Sequence, residues 1–149
     1  MSFKNILCFG TLNPDLIYFV DELPNKGDDI RSLNSSIRPG GTAINCSELI
    51  SLWDKSVHVR GNSIGSDPMG KYLVDYLKEN NINFDGLIIN QSLTPTCSIF
   101  VDSSGERTIV SSGYEGLEWS NFENLNNFDS LIIDRYSIKF IKDKLKDLK

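Results

Sequence analysis

Arg38-Pro39-Gly40-Gly41-Thr42-Ala43-Ile44-Asn45 is the stretch on which the reading of this chain turns. Pro39 and the paired glycines predict a hard break, because proline limits the backbone and glycine frees it. Beyond the break the pattern is helical: Ala43, Cys46, Leu49, Ile50 and Trp53 recur at the three-and-four spacing of one helix face. A glycine pair just before a helix does two chemical things. It lets backbone approach a ligand without a Cβ in the way, and it opens onto the unpaired N–H groups of a helix N-terminus. Asn45, in the first turn, would reach the same place. The stretch lacks the Gly-Lys-Ser/Thr ending of a phosphate-binding loop and is not Gly-x-Gly-x-x-Gly. A glycine-rich loop that starts a helix only for packing reasons fits it equally well.

Outward from this point the pattern alternates. Upstream, Asn5 to Gly10 (NILCFG) reads as a buried parallel strand. Leu16 to Val20 is a second apolar run, and Asp21 to Asp29 supplies turn residues. Ile30 to Ile37 reads as a strand with one wet face. Downstream, Val57 to Arg60 is strand-like and Asn62 to Asp67 is a glycine-containing loop. Asp67-Pro68 is a good helix start, and Met69, Tyr72, Leu73, Tyr76 and Leu77 mark an amphipathic helix that ends at Asn80-Asn81. Leu87 to Ile89 is strand-like. Thr96 to Asp102 and Arg107 to Ser111 flank a turn containing Gly105, which predicts a β-hairpin. Leu131 to Asp134 reads as a buried strand, and Ile138, Ile141, Leu145 and Leu148 as a final amphipathic helix. Strands alternating with helices imply an α/β fold with a mostly parallel sheet. The stretches 16–37 and 96–111 break that rhythm, and together they predict a small β subdomain standing off the main sheet.

Composition narrows the classes. The chain has 149 residues, which suits one domain, and 40% hydrophobic residues, enough for a core. A formal charge of −5 argues against a nucleic-acid partner, which would need basic surface. Cys8, Cys46 and Cys97 are far apart and His58 is the only histidine, so no zinc site is expected. That odd, sparse cysteine set fits a reducing cytosol. The segment from Met1 to Lys4 has no signal-peptide character, and no run approaches a membrane span. A cytoplasmic domain is expected.

Other motifs carry weaker chemistry. Gly10-Thr11-Leu12-Asn13-Pro14-Asp15 closes the first strand, at the sheet edge where α/β folds bind ligands. Asn13 and Asp15 offer an amide and a carboxylate to hydroxyl groups; a local Asx-turn accounts for them as well. In Gly61-Asn62-Ser63-Ile64-Gly65-Ser66-Asp67, helix capping explains Asp67 in full. Asp102-Ser103-Ser104-Gly105-Glu106-Arg107-Thr108 reads as a solvated turn. Asp134-Arg135 places a carboxylate at the ligand edge, where it binds a hydroxyl or pairs with its neighbour.

The order of these motifs is more specific than any one of them. Asn-x-Asp comes after the first strand, and a Leu-Pro-x-x-Gly turn is next. Gly-Gly-x-Ala-x-Asn and then Gly-x-Asp-x-x-Gly each open a helix, and a Val-Asp-x-x-Gly-Glu-Arg-Thr hairpin completes the series. This order resembles the N-terminal half of the PfkB, or ribokinase-like, carbohydrate kinases, over essentially the whole chain; the layout near Asp29-Ile30-Arg31 is most similar to ketohexokinase-type members. The resemblance implies a ribokinase-like fold, with a Rossmann-like sheet flanked by helices and a β-sheet lid from residues 16–37 and 96–111. It implies that Asn13, Asp15, Gly40, Gly41 and Asn45 contact a sugar or nucleoside, with Asp134 or Arg135 at a further contact. It also implies ATP and Mg²⁺ for the complete enzyme, and a homodimer paired through the lid. The family's Gly-Ala-Gly-Asp-type motif, which carries the general base and an anion hole, does not occur in these 149 residues. The chain is therefore expected to be the sugar-binding half, inactive alone. It would be a fragment, a half completed by a separate C-terminal chain, or a non-catalytic sugar-binding or dimerising module. Trp53-Asp54 departs from the family's usual Leu-Gly helix end.

Overall fold

The computed structural model describes residues 4–53 and 55–142. Asp54, Leu145 and Leu148, named above, lie outside the described residues.

Strand β1 (Asn5–Gly10) is the centre of a three-stranded parallel sheet, flanked by β4 (Ser56–Gly61) and β9 (Ser130–Ile133). A central parallel strand is covered on both faces, which is why NILCFG is an apolar run without alternation. Ile6 and Cys8 enter a core built with helices α1 (Thr42–Ser51) and α2 (Pro68–Glu79), through Ala43, Ile44, Leu73 and Leu77. Phe9 enters a second core on the opposite face, against Phe122 edge-on at 4.7 Å and against Ile141 of the short helix α3 (Ile138–Ile141).

Helix α1 buries Ala43, Ile44, Ser47 and Ile50, so its core face is rotated from the expected one: Leu49 and Trp53 are 54% and 61% exposed. The start of the helix sets this rotation. Thr11 accepts hydrogen bonds from the backbone N–H of Thr42 on its Oγ1 (3.3 Å) and of Ala43 on its carbonyl (3.2 Å). Ser47 is tolerated inside because its hydroxyl donates to the Ile44 carbonyl at 2.8 Å. Helix α2 begins as expected, with Asp67 accepting from the Gly70 N–H at 2.8 Å and Pro68 in the first turn. The expected loop 62–67 contains a two-residue strand, β5 (Ile64–Gly65), paired with β6 (Ile89–Asn90).

A separate four-stranded sheet runs in the order β3-β2-β7-β8. Its strands are β2 (Asn13–Phe19), β3 (Asn34–Gly40), β7 (Thr96–Val101) and β8 (Arg107–Ser112). The pairs β2/β3 and β7/β8 are antiparallel, as expected, and a parallel pairing of β2 with β7 joins them. Several boundaries differ from the sequence reading: β2 begins at Asn13 rather than Leu16, and β6 covers Ile89–Asn90 rather than Leu87–Ile89. Residues 30–33 are not in a strand, and Pro39 and Gly40 do not break the chain but end β3, with Pro39 opposite Pro14. Strand β3 lies at the sheet edge, where a missing N–H loses no ladder bond. The break is Gly41 alone, at φ 85°. Among the described residues, no helix is long and apolar enough to cross a membrane.

Candidate functional site

The connection from β1 to β2 is locked from two sides. Asn62, fully buried, accepts from the Leu12 N–H at 2.8 Å and donates to the Leu12 carbonyl at 3.0 Å. Asp134, 6% exposed, accepts from the Thr11 N–H (2.8 Å) and hydroxyl (3.0 Å), and from the Ser137 N–H (2.7 Å). Burial opposes its charge, but these hydrogen bonds outweigh it and hold the carboxyl below its ordinary pKa. Gly10 makes room for it, since a Cβ there would stand 2.7 Å from Asp134 Oδ2. Asp134 therefore holds Thr11 in place. Arg135 does not pair with it; its guanidinium lies over the Tyr136 ring and donates to the Tyr136 hydroxyl.

On this base sits a cleft of about 1340 Å³. Thr11, Gly41, Thr42 and Asn45 line its body side, and Asn13, Asp15, Ile99 and Ile109 line it from the four-stranded sheet. The strand register explains the second group. Asp15 pairs with Cys97, which pairs with Ser111, and Ile17 pairs with Ile99, which pairs with Ile109, so these side chains share one face. The loop 113–117, Trp119, Arg135 and Lys139 close the other side.

Asn13, Asp15, Gly41 and Asn45 thus come together around one hollow. Asn13 is 2% exposed, and its Nδ2 donates to Asp15 Oδ1 (2.7 Å) and to the Pro14 carbonyl (3.3 Å). Asp15 is half-buried, and burial raises its pKa more than the Asn13 hydrogen bond lowers it. Its carboxylate lies against Gly40, where a Cβ would come within 2.3 Å. Gly40 therefore lies under Asp15 and does not itself line the cleft. Asn45 is exposed, with no side-chain hydrogen bond among the described residues. The N-terminus of α1 is partly engaged already, since Thr42 and Ala43 donate to Thr11. The arrangement offers a hydroxyl-rich ligand one pre-set carboxylate, one free amide and a bare backbone at Gly41.

Of the cleft residues that escaped the sequence reading, Tyr114 and Cys97 lie nearest the Asn13 amide. Tyr114 donates its hydroxyl to Asn13 Oδ1 at 2.8 Å, and Cys97 Sγ lies 3.7 Å from that hydroxyl. Burial first, then Cys97, pushes the Tyr114 phenol well above its ordinary pKa, so it stays a donor. The one available signal was its position between Gly113 and Gly116, directly after a hairpin strand. Elsewhere the plainer readings hold. Asp67 caps α2 and also accepts from the Thr94 N–H (2.8 Å) and hydroxyl (2.7 Å), while Asp102 folds the hairpin turn around Ser104 and Glu106.

A family model described as pfkB family carbohydrate kinase matches residues 4–147. The chain is 28% identical over 108 residues to a ribokinase of Dictyostelium discoideum and 30% identical over 112 residues to a ketohexokinase of Mus musculus. These matches cover 72% and 74% of this chain but 34% and 37% of those proteins, so the matched part spans about a third of the length of these curated relatives. Among solved structures, the Arabidopsis thaliana ribokinase complexed with ribose and ATP superposes with a TM-score of 0.73 at 19% identity, over 91% of this chain and 46% of that one. The Cryptococcus neoformans ribokinase in complex with ADP superposes with a TM-score of 0.69 at 19% identity, over 93% and 44%. At these identities the likeness is one of fold.

Proposed function

Because the chain belongs to the pfkB family of carbohydrate kinases, we propose that its described part holds the sugar during ATP-dependent phosphorylation of a sugar hydroxyl. Asp15 is the principal acceptor for sugar hydroxyls, Asn45 is a second polar contact, and Gly41 lets the sugar lie close to backbone. The four-stranded sheet acts as a lid whose apolar underside, with Ile99 and Ile109, keeps water from the hydroxyls. The observation that carries this reading is the shared cleft of Asn13, Asp15, Gly41 and Asn45 between lid and parallel sheet. ATP with Mg²⁺ would supply the phosphoryl group. Among the described residues no group of three or more His, Cys, Asp or Glu side chains stands together, so none is assigned to the metal and no step is derived through it. No residue of this chain is assigned as general base; the role proposed is binding and orientation.

Isothermal titration calorimetry with ribose, fructose and adenosine at millimolar concentration tests the reading. Binding of one of them is expected, with a loss of about tenfold or more in Asp15→Ala, from removal of a charged hydrogen-bond acceptor. Absence of heat with all three overturns it.

A further inference from the structure

Tyr114 is tied into the cleft by a contact that local sequence could not supply. Its hydroxyl meets Asn13, 101 residues earlier in the chain, at 2.8 Å. Asn13 Nδ2 faces two groups that only accept: Asp15 Oδ1 at 2.7 Å and the Pro14 carbonyl at 3.3 Å. Oδ1, on a residue 2% exposed, is then left needing a donor, and Tyr114 is that donor. Turning the amide over would set its oxygen against Asp15 Oδ1, acceptor against acceptor. Gly113 and Gly116, at φ 78° and 70°, shape the loop that carries Tyr114 to this place.

We propose that Tyr114 is a positioning residue of the sugar site: its hydroxyl fixes the Asn13 amide, and the amide aims Asp15 at the sugar. The sugar-facing half of this inference rests on the function proposed above; the link from Tyr114 through Asn13 to Asp15 does not. Without the phenolic hydroxyl, buried Oδ1 is orphaned and the amide turns toward another donor. Asp15 then loses the hydrogen bond that favours its ionised form, and its carboxyl, already raised by burial, rises further. The charged and titratable groups around Asp15 are Arg38 opposite it on β3, Cys97 on β7 and Asp134 behind Thr11, with Arg107, Glu115, Arg135, Tyr136 and Lys139 along the cleft. Helix α2 contributes Tyr72, whose hydroxyl donates to the Ile37 carbonyl. Tyr114→Phe changes the charge of none of these and, among them, removes only the 3.7 Å hydroxyl contact to Cys97 Sγ.

The test is the Asp15 titration, tracked by carboxyl carbon-13 NMR in the ligand-free chain, wild type against Tyr114→Phe, with sugar affinity measured beside it. The Asp15 midpoint is expected to move up by roughly half to one pH unit, the scale of one lost hydrogen bond. Sugar affinity at pH 7 should fall about five- to tenfold. A packing role alone would change thermal stability and leave the midpoint in place. An unchanged midpoint overturns the proposal whatever the sugar does. A shifted midpoint in a chain that binds no sugar upholds the Tyr114–Asn13–Asp15 link and overturns the sugar reading instead. The wild-type chain offers a check that needs no variant: slow exchange of the Asn13 side-chain amide protons is expected, and a freely rotating, rapidly exchanging amide sinks the proposal.

Discussion

Gly41 has φ 85° and ψ 149°, a region essentially closed to residues with a Cβ, and a Cβ there would stand 2.2 Å from the Thr11 carbonyl oxygen. Gly41→Ala therefore meets both backbone strain and a backbone clash. The strain alone is worth about 1–3 kcal/mol, and the clash would push Thr11 away from the start of α1. Urea unfolding should show a loss of that size or more, and an undiminished midpoint would contradict the geometry. The need for glycine at position 41 could be read from the sequence, since paired glycines before a helix announce a close approach. The split of duties within Gly40-Gly41 could not. Gly40 lies under Asp15 while Gly41 faces the cleft, and only the register of β3 on β2, with Asp15 opposite Arg38, separates the two. Asp134 carries the same lesson. Its place at the sheet edge was legible, but its use was not, because Thr11 reaches its carboxylate only once β1 and β9 are side by side; the Ser137 contact, three residues on, is local.

Local signals gave the elements their type, and tertiary contacts gave them their limits. Asp67-Pro68 announces α2, and the structure adds a second duty: the same carboxylate grips Thr94, two residues before β7, and so ties the four-stranded sheet to the body. Burial works against its charge, but the hydrogen bonds from Thr94 and Gly70 hold its pKa below the ordinary value. Asp67→Ala should lower stability by about 1–2 kcal/mol through the lost cap, with a further loss from the unsatisfied Thr94. Hydrogen exchange should report faster opening at Thr94–Cys97 than elsewhere in the sheet. Equal exchange across β7 would deny the tie. The face of α1 was misjudged for a related reason. The three-and-four spacing admits neighbouring stripes on one helix, and the choice between them came from Thr11, thirty-odd residues away. Leu49, Leu52 and Trp53 are left on the surface as a consequence.

Across the whole molecule, Asp134 links β9, the β1–β2 connection and the start of α3, so its ionisation bears on the assembly of the site. Its pKa is lowered in the folded state. Its contribution is therefore complete above the ordinary carboxyl pKa and is lost as the pH falls through the lowered one. Asp134→Asn sets an amide donor near the Thr11 donors. It should lower stability at pH 7 by about 1–3 kcal/mol, and the gap from wild type should narrow at pH 3, where the unfolded carboxyl takes up a proton more readily than the native one. Urea unfolding at the two pH values measures this, and a gap independent of pH would show that charge plays no part. The amino-acid sequence by itself determined the alternating α/β order, the detached β sheet and the place of Gly41 and Asn45 at a helix start, because periodicity, capping and turn chemistry act over a few residues. Only the tertiary structure decided which face α1 buries, what holds Asp134, and that Tyr114 orients Asn13. Those outcomes depend on hydrogen bonds between residues up to 123 positions apart, and no local pattern encodes such partners.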